Sequence, residues 1–258
     1  MAGGFLVSFV FLSIFLIEIK KESSFLYLFL IFFLLVVFLT GERSNFFDFV
    51  AILFLIYLFC IKKNYLFKCL LLIFSLGILI LMITIFDNFR GRYLSTISYS
   101  QDKNLNLVET YLTSEYGSHS ISSFLILKDN LLLGVGNKNF RLSCKKYKND
   151  VINFQKKIDD IERNTYPDGC ATHPHQIYNE LLSEHGILGL IVILLIMYKL
   201  TFNDFSIKRK NNLNLVCFFY IMLYFVPILP SGSFFSTLPS TFFWINYLFY
   251  IVNIKKKV

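Results

Sequence analysis

A short polar segment ahead of an apolar run holds the side chains best suited to proton transfer. It reads His173-Pro-His-Gln-Ile-Tyr-Asn-Glu-Leu-Leu-Ser-Glu-His-Gly-Ile-Leu-Gly189. Pro174 predicts the start of a helix whose first turns would carry His175 and Asn179 on one face. Because an imidazole exchanges protons near neutral pH, His175 is a candidate general base for a hydroxyl nucleophile. The alternative is a solvent-exposed histidine that caps the helix.

The segment Thr40-Gly-Glu-Arg-Ser-Asn45 places an arginine between two apolar runs. A guanidinium is permanently charged and presents a planar fork of donors that matches phosphate. Arg43 at a membrane boundary would therefore bind a phosphate-bearing substrate or, alternatively, reach toward lipid headgroups.

Glycines and cations also meet in Leu133-Gly-Val-Gly-Asn-Lys-Asn-Phe-Arg141. A glycine turn followed by Lys138 and Arg141 is suited to cradle an anion. The spacing matches no nucleotide-binding fingerprint, and no strand–helix unit follows. The segment therefore predicts an anion contact without a nucleotide site.

The cysteines divide between the apolar runs and one long polar segment. Three lie in or beside apolar runs and are interpreted as packing residues: Cys60, Cys69 and Cys217. Cys144 and Cys170 lie in the polar segment, where an oxidising compartment would join them in a disulfide and a reducing one would leave two thiols. Zinc binding by Cys170 with His173 and His175 is disfavoured, because the spacing matches no common structural site. We expect no metal.

The runs that must position these segments indicate a membrane protein. Hydrophobic residues make up 55% of the 258 residues and charged residues 16%, whereas a soluble domain is usually less than about half apolar. We predict an all-α integral membrane protein with about seven transmembrane helices and one large periplasmic loop that contains short helices. The spans are expected at 4–19, 25–40, 46–61, 65–86, 177–199, 213–230 and 239–254.

Basic clusters orient the predicted helices through the positive-inside rule. The clusters are Lys20–Lys21, Lys62–Lys63 with Lys68, Lys199–Lys210 and Lys255–Lys257. Simple alternation puts all of them in the cytoplasm and the segment 87–176 in the periplasm. The chain would then divide into helices at 1–86, a periplasmic loop at 87–176 and helices at 177–258. Because the net charge of +8 is gathered in these clusters, we interpret it as topology and predict no nucleic-acid partner.

The loop 87–176 carries its own structural signals. Val151, Phe154, Ile158 and Ile161 recur at helical spacing and predict a short amphipathic helix. Tyr166-Pro-Asp-Gly169 predicts a turn. The loop is therefore expected to be ordered.

Taken together, these segments resemble the O-antigen ligase/polymerase family of bacterial membrane proteins. His175-Gln176, nine residues and then Gly186-Ile-Leu-Gly189 is similar to the family pattern of His, then Asn, Ser or Gln, a spacer of the same length, Gly, two further residues, and Gly, Thr or Tyr. Further similar segments are Thr172-His-Pro174, Gly134–Arg141, Thr40–Ser44, and Ser231-Gly-Ser-Phe-Phe235 followed by Trp244. The resemblance covers roughly residues 25–250.

The resemblance implies a metal-independent glycosyltransferase of the bacterial inner membrane that needs no cofactor. Such enzymes move glycan from an undecaprenyl-diphosphate carrier to an acceptor hydroxyl. The acceptor lies on the lipid A core in ligases and on another repeat unit in polymerases. Carried over, Arg43 would bind the diphosphate and His175 would activate the acceptor hydroxyl. Further substrate contacts are expected from Arg141, Lys138, Gln176, Asn179 and His173.

Two features depart from the family. An arginine usual before the glycine segment is missing from Glu115-Tyr-Gly-Ser-His-Ser120, so His119, Arg90 or Arg92 would have to serve. The predicted helices are fewer than the family's usual number, and we expect a chain that lacks N-terminal helices. Two alternatives stay open: a lipid-linked glycan transporter, which would need charged groups at mid-membrane, and an inactive truncated member.

Overall fold

The computed structural model describes most of the second half of the chain and parts of the first. The described residues are 25–41, 43–59, 73, 76–77, 80–81, 84–85, 87, 105–158, 166–202, 212–227, 229–235 and 237–255. Across these ranges the protein is all-helical and contains no strand, as predicted. The predicted span at 4–19 lies outside the described residues, and only isolated positions of the span at 65–86 are described.

The described helices are numbered in chain order. They are α1 (Phe25–Leu39), α2 (Arg43–Phe59), α3 (Leu107–Leu112), α4 (Glu115–Asp129), α5 (Phe140–Ser143), α6 (Lys148–Ile158), α7 (Ile177–Phe202), α8 (Asn212–Tyr224) and α9 (Thr237–Lys255). A 3-10 turn, Cys144–Tyr147, joins α5 to α6. Helix α8 ends at Tyr224, before the predicted end at residue 230. The reason is Pro227, which lacks an N–H and disfavours a helical residue before it.

One compact unit comprises residues 1–95, 201–226 and 241–258. In it α2 packs against both α1 and α8. Phe49, Ile52 and Ile56 of α2 are buried, whereas Phe47 and Phe54 on the same helix are exposed. Helix α2 therefore buries one apolar face and leaves another uncovered by protein.

The second unit comprises residues 96–200 and 227–240. Its helices start at clear signals: Asn106 and Glu109 form a capping box at α3, and Ser114 caps α4. The predicted amphipathic helix is confirmed as α6, which buries Val151 and exposes Phe154. Ile161 lies outside the described residues.

A disulfide lies in the core of the second unit. Cys144 and Cys170 are joined with a Cα–Cα distance of 5.4 Å. Cys144 is buried with Ile126, Phe140 and Tyr147. The bond ties the 3-10 turn to the segment that leads into α7, and chain entropy predicts a stabilisation of about 3 kcal/mol for a loop of this size.

Helix α7 is long but broken. It is the one helix in the described ranges that is long and apolar enough to cross a membrane. Gly186, with φ 65° and ψ −169°, interrupts it. Shorter apolar helices lie at Asn45–Ile56, Leu213–Tyr224 and Ser240–Val252. The seven-span topology therefore stays a prediction.

Candidate active site

The break in α7 is paired with the segment that contains the glycines. Val135 N donates to Ser183 O at 3.0 Å and Gly136 N donates to Glu184 O at 2.8 Å. A broken helix leaves carbonyls without partners before the break. We name residues 134–140 the glycine loop. Its N–H groups satisfy the carbonyls that the break releases.

The glycine loop also surrounds a carboxylate of the protein itself. Glu184 is buried, and its two oxygens accept from Lys138 N at 2.8 Å and from Phe140 N at 3.2 Å. The sequence predicted an anion contact here, and the anion held by these backbone groups is Glu184. The Lys138 and Arg141 side chains are exposed, so they remain separate from this contact.

Two glycines make the close approach possible. Gly134 has φ 66°, and a Cβ there would lie 2.4 Å from the backbone carbon of Glu184. At Gly186 a Cβ would lie 2.3 Å from Leu132 O. Because both obstacles are backbone atoms, neither site tolerates a side chain without displacement of the loop.

A second loop is fastened to the start of α7. Ser231 N donates to His175 O at 2.8 Å, and Gln176 Nε2 donates to Pro227 O at 3.0 Å. The carboxylate of Glu180 accepts from Ser233 Oγ and from Phe234 N. Glu180 and Glu184 are four residues apart, so one face of α7 holds two loops through buried carboxylates.

The amides predicted to contact substrate are engaged inside the protein. Gln176 Oε1 accepts from Asn179 N at 2.8 Å and caps the first turn of α7. Asn179 Nδ2 donates to Ser120 Oγ at 2.7 Å, and Tyr111 OH is 2.6 Å from the same oxygen. Both amides therefore position the segment around His175.

Three imidazoles gather next to this segment and form what we name the histidine cluster: His119, His173 and His175. The rings of His119 and His175 are stacked with centroids 5.4 Å apart. The rings of His173 and His175 are 4.1 Å apart. Tyr116 meets His175 edge-on at 6.1 Å. His175 is thus the central ring of the cluster.

The sequence predicted His175 in the first turns of α7, and the structure contradicts this. His175 precedes the helix and has φ 54°, a left-handed conformation that is uncommon for a residue with a side chain. The hydrogen bond from Ser231 N holds its carbonyl. Such strained backbone at a polar cluster is typical of functional sites.

The cluster contains buried nitrogen atoms without hydrogen-bond partners. His119 is 2% exposed. In the part of the chain that the structure describes, neither of its ring nitrogens has a partner, nor does Nε2 of His173. Nδ1 of His173 lies 3.1 Å from Thr172 Oγ1. Buried polar atoms without partners are uncommon in native proteins, so these nitrogens mark the cluster as a candidate functional site.

Burial keeps these imidazoles neutral. It lowers the pKa of His119 to about 4, helped by repulsion from His175 and opposed by Asp168. It lowers the pKa of His173 to about 4, helped by repulsion from His175 and His119. Burial also lowers the pKa of His175, opposed by the carboxylate of Glu115. A neutral imidazole has the lone pair that a general base requires.

The remaining predicted site residues fall at other places. Arg43 begins α2, and its side chain lies outside the described residues. Arg90 and Arg92 also lie outside them. Cys170 is bonded to Cys144, so its sulfur is not a thiolate for zinc. No group of His, Cys, Asp and Glu within the described ranges has the geometry of a metal site.

Sequence reasoning missed the internal roles of Glu180 and Glu184. The signal was present: two acidic residues at helical spacing lead into an apolar run, where unpaired charge is costly. Their spacing places both on one face of the helix, but it does not identify the loops that they hold.

Comparison with known proteins supports the family resemblance, although Ser231–Phe235 and Trp244 lie outside the matched residues. No curated protein and no solved structure shows significant similarity to the chain. A family model described as O-antigen ligase matches residues 26–194. The match covers well over half of the chain and includes α1, α2, the glycine loop and the histidine cluster. The chain therefore belongs to the O-antigen ligase family.

Proposed function

We propose that the chain transfers O-antigen-type glycan from an undecaprenyl-diphosphate carrier to an acceptor hydroxyl. Family membership supports a ligase-like glycosyltransferase in lipopolysaccharide and surface polysaccharide biosynthesis. The observation that carries the proposal is the histidine cluster. It combines a neutral, centrally placed His175 in a left-handed conformation with buried ring nitrogens that lack partners in the described residues.

The cluster is suited to activate an acceptor. His175 takes the proton of the acceptor hydroxyl, and the hydroxyl oxygen forms a bond to the anomeric carbon of the donor. The bond from that carbon to the carrier phosphate breaks, and the diphosphate leaves with the electron pair. The pKa of His175, lowered by burial, leaves it neutral before this step at neutral pH.

Cations are assigned to the leaving group. The guanidinium of Arg43 would stabilise the charge that develops on the diphosphate, the role that the family resemblance implies. Lys138 and Arg141, both exposed, and His173 are proposed substrate contacts. For Gln176 and Asn179 the observed hydrogen bonds favour positioning of the His175 segment.

We place the protein in the bacterial inner membrane, multi-pass, with the histidine cluster on the periplasmic face. Helix α7 and the shorter apolar helices support membrane crossing. Exposed Phe47 and Phe54 on α2 are suited to contact lipid. The Cys144–Cys170 disulfide supports an oxidising compartment for the unit that contains the cluster.

The experiment is complementation of cells that lack the gene with His175→Ala, Arg43→Ala and a control, Lys156→Ala, which changes an exposed cation on α6. We expect glycan transfer to fall by about 100-fold or more in the first two, the typical contribution of a general base, and to be unchanged in the control. Protein levels should be equal in all three. Normal transfer in His175→Ala and Arg43→Ala would rule out the assigned roles.

A gel of the lipopolysaccharide ladder from cells with and without the gene separates the ligase chemistry from the polymerase chemistry. Loss of the gene that leaves lipid A core with a single repeat unit means a polymerase. Bare core, with polymer still on the lipid carrier, means a ligase. An unchanged ladder would mean an inactive member or another glycan pathway.

A further inference from the structure

Three consecutive leucines form an exposed turn between α4 and the glycine loop. Leu131, Leu132 and Leu133 are 51%, 59% and 74% exposed, and we name residues 131–133 the leucine turn. An uninterrupted group of exposed leucines is unusual on a water-facing surface and marks contact with a partner or a membrane.

Two carbonyl groups of the leucine turn are already hydrogen-bonded, as apolar surroundings require. Leu131 O accepts from Ile187 N at 3.0 Å, and Leu132 O accepts from Leu188 N at 3.3 Å. Carbonyls without partners are excluded from lipid, because each costs several kcal/mol there. These two carbonyls are satisfied by the N–H groups that the break at Gly186 would otherwise leave unpaired.

The same hydrogen bonds make the turn continuous with the apolar part of α7. Ile187 and Leu188 begin the part of α7 that follows the break. Along it Leu188, Ile191, Val192 and Leu195 are exposed. The leucine turn therefore extends the apolar surface of α7 beyond the point where the helix resumes after Gly186. A bilayer that surrounds this part of α7 also reaches the leucine turn.

Charge at the next positions fits the same partner. Lys138 and Arg141 follow the turn and are exposed, and cations of this kind suit the phosphates of lipid headgroups. Leucines followed by exposed cations are typical of a segment that inserts its apolar tip and leaves its charged end in the headgroup region.

We propose that the leucine turn inserts into the bilayer leaflet beside α7 and fixes the depth of the histidine cluster. This rests on the proposed membrane crossing of α7. The part of α7 between Ile177 and His185 is about 13 Å long by helical rise, so His175 lies a fixed, short distance from the leucine turn. The insertion would hold His175 near the layer that contains the diphosphate of a lipid carrier.

Site-specific fluorescence tests the proposal. Trp244 is the single tryptophan, so a Trp244→Phe background is silent. Into it go Leu132→Trp and a matched control, Phe154→Trp, an exposed apolar residue of α6. Each full-length variant is reconstituted into nanodiscs made with ordinary or acyl-chain-brominated phosphatidylcholine. We expect Leu132→Trp to emit at shorter wavelength and to lose most of its emission with brominated lipid, while Phe154→Trp keeps its emission.

Quenching of Leu132→Trp no stronger than that of Phe154→Trp would overturn the proposal. So would a blue shift that grows with protein concentration without quenching, since it marks a second copy as the occupant. Leu195→Trp, on the exposed face of α7, distinguishes failure of this inference from failure of the proposed membrane crossing. If it is quenched and Leu132→Trp is not, only this inference fails; if neither is quenched, the membrane placement of α7 fails as well.

Discussion

The glycine loop and the histidine cluster both bury polar groups, but they treat them in opposite ways. The carboxylate of Glu184 accepts from two backbone N–H groups of the glycine loop. His119 is buried just as deeply, yet among the described residues neither of its ring nitrogens has a hydrogen-bond partner.

The difference separates architecture from chemistry. A buried polar group that is fully paired stabilises one arrangement, and its removal leaves other groups unsatisfied. A buried polar group without a partner is a cost that native proteins keep mainly where a ligand or reaction needs it. We therefore assign the glycine loop to architecture, and we propose that a substrate supplies the missing partners in the histidine cluster.

The largest effect is expected at the break in α7. Gly186→Ala puts a Cβ 2.3 Å from Leu132 O at a φ of 65°, so we expect a loss of more than about 3 kcal/mol in the free energy of unfolding. Gly136→Ala, at φ 92° with Asn139 Nδ2 as its nearest neighbour at 3.1 Å, should lose about 1 to 2 kcal/mol. Thermal unfolding of the detergent-solubilised protein measures both.

The matched control for this series is Gly77→Ala, where a Cβ meets no atom of the described residues within 4 Å. It should unfold at the parent's temperature or slightly above it, because Ala favours a helix more than Gly does. Equal unfolding temperatures for Gly186→Ala and Gly77→Ala would show that the glycine loop does not depend on the break.

A pair of leucine substitutions tests the comparison directly. Glu184→Leu leaves the N–H groups of Lys138 and Phe140 without an acceptor and should cost about 2 to 3 kcal/mol. His119→Leu removes nitrogens that have no partner in the described ranges and keeps a similar volume, so its cost should stay below about 1.5 kcal/mol.

At His119 activity should be more sensitive than stability. We expect His119→Leu to lose glycan transfer while its unfolding temperature falls less than that of Glu184→Leu. If Glu184→Leu proves the more stable of the two, the distinction between a paired framework and an unpaired site is wrong.

Stability should also depend on pH. Burial lowers the pKa of His119 from its ordinary value of 6.5 to about 4 in the folded protein. Above pH 6.5 His119 is neutral in both the folded and the unfolded chain, and its contribution to the free energy of unfolding is complete. As the pH falls from 6.5 to 4, the unfolded chain binds a proton that the folded one does not, so stability is lost. Between pH 7 and pH 5 this is about 2 kcal/mol.

Melting curves at the two pH values measure the effect, with His119→Leu as the comparison. The variant should lose less stability on acidification than the parent, although His173 still contributes. Identical losses in both proteins would mean that His119 takes up its proton as easily in the folded state as in the unfolded one.

The features that could be predicted from the sequence are those that depend on neighbouring residues. The all-helical class followed from apolar runs, and α6 followed from the spacing of Val151, Phe154 and Ile158. The predicted end of α8 is too late, although Pro227 is a local signal against a helix at that position. The prediction of His175 inside α7 is wrong, because its left-handed conformation depends on the loop that contains Ser231.

The sequence by itself determined the family, the helical class and the segments from which the site is built, since these depend on residue types and near-neighbour spacing. It also indicated that Cys144 and Cys170 could pair. Only the tertiary structure decided that the glycine loop holds Glu184 and that His119 stacks on His175. These contacts join positions 44 to 56 residues apart, and their geometry arises from the packing of whole elements, which no local pattern encodes.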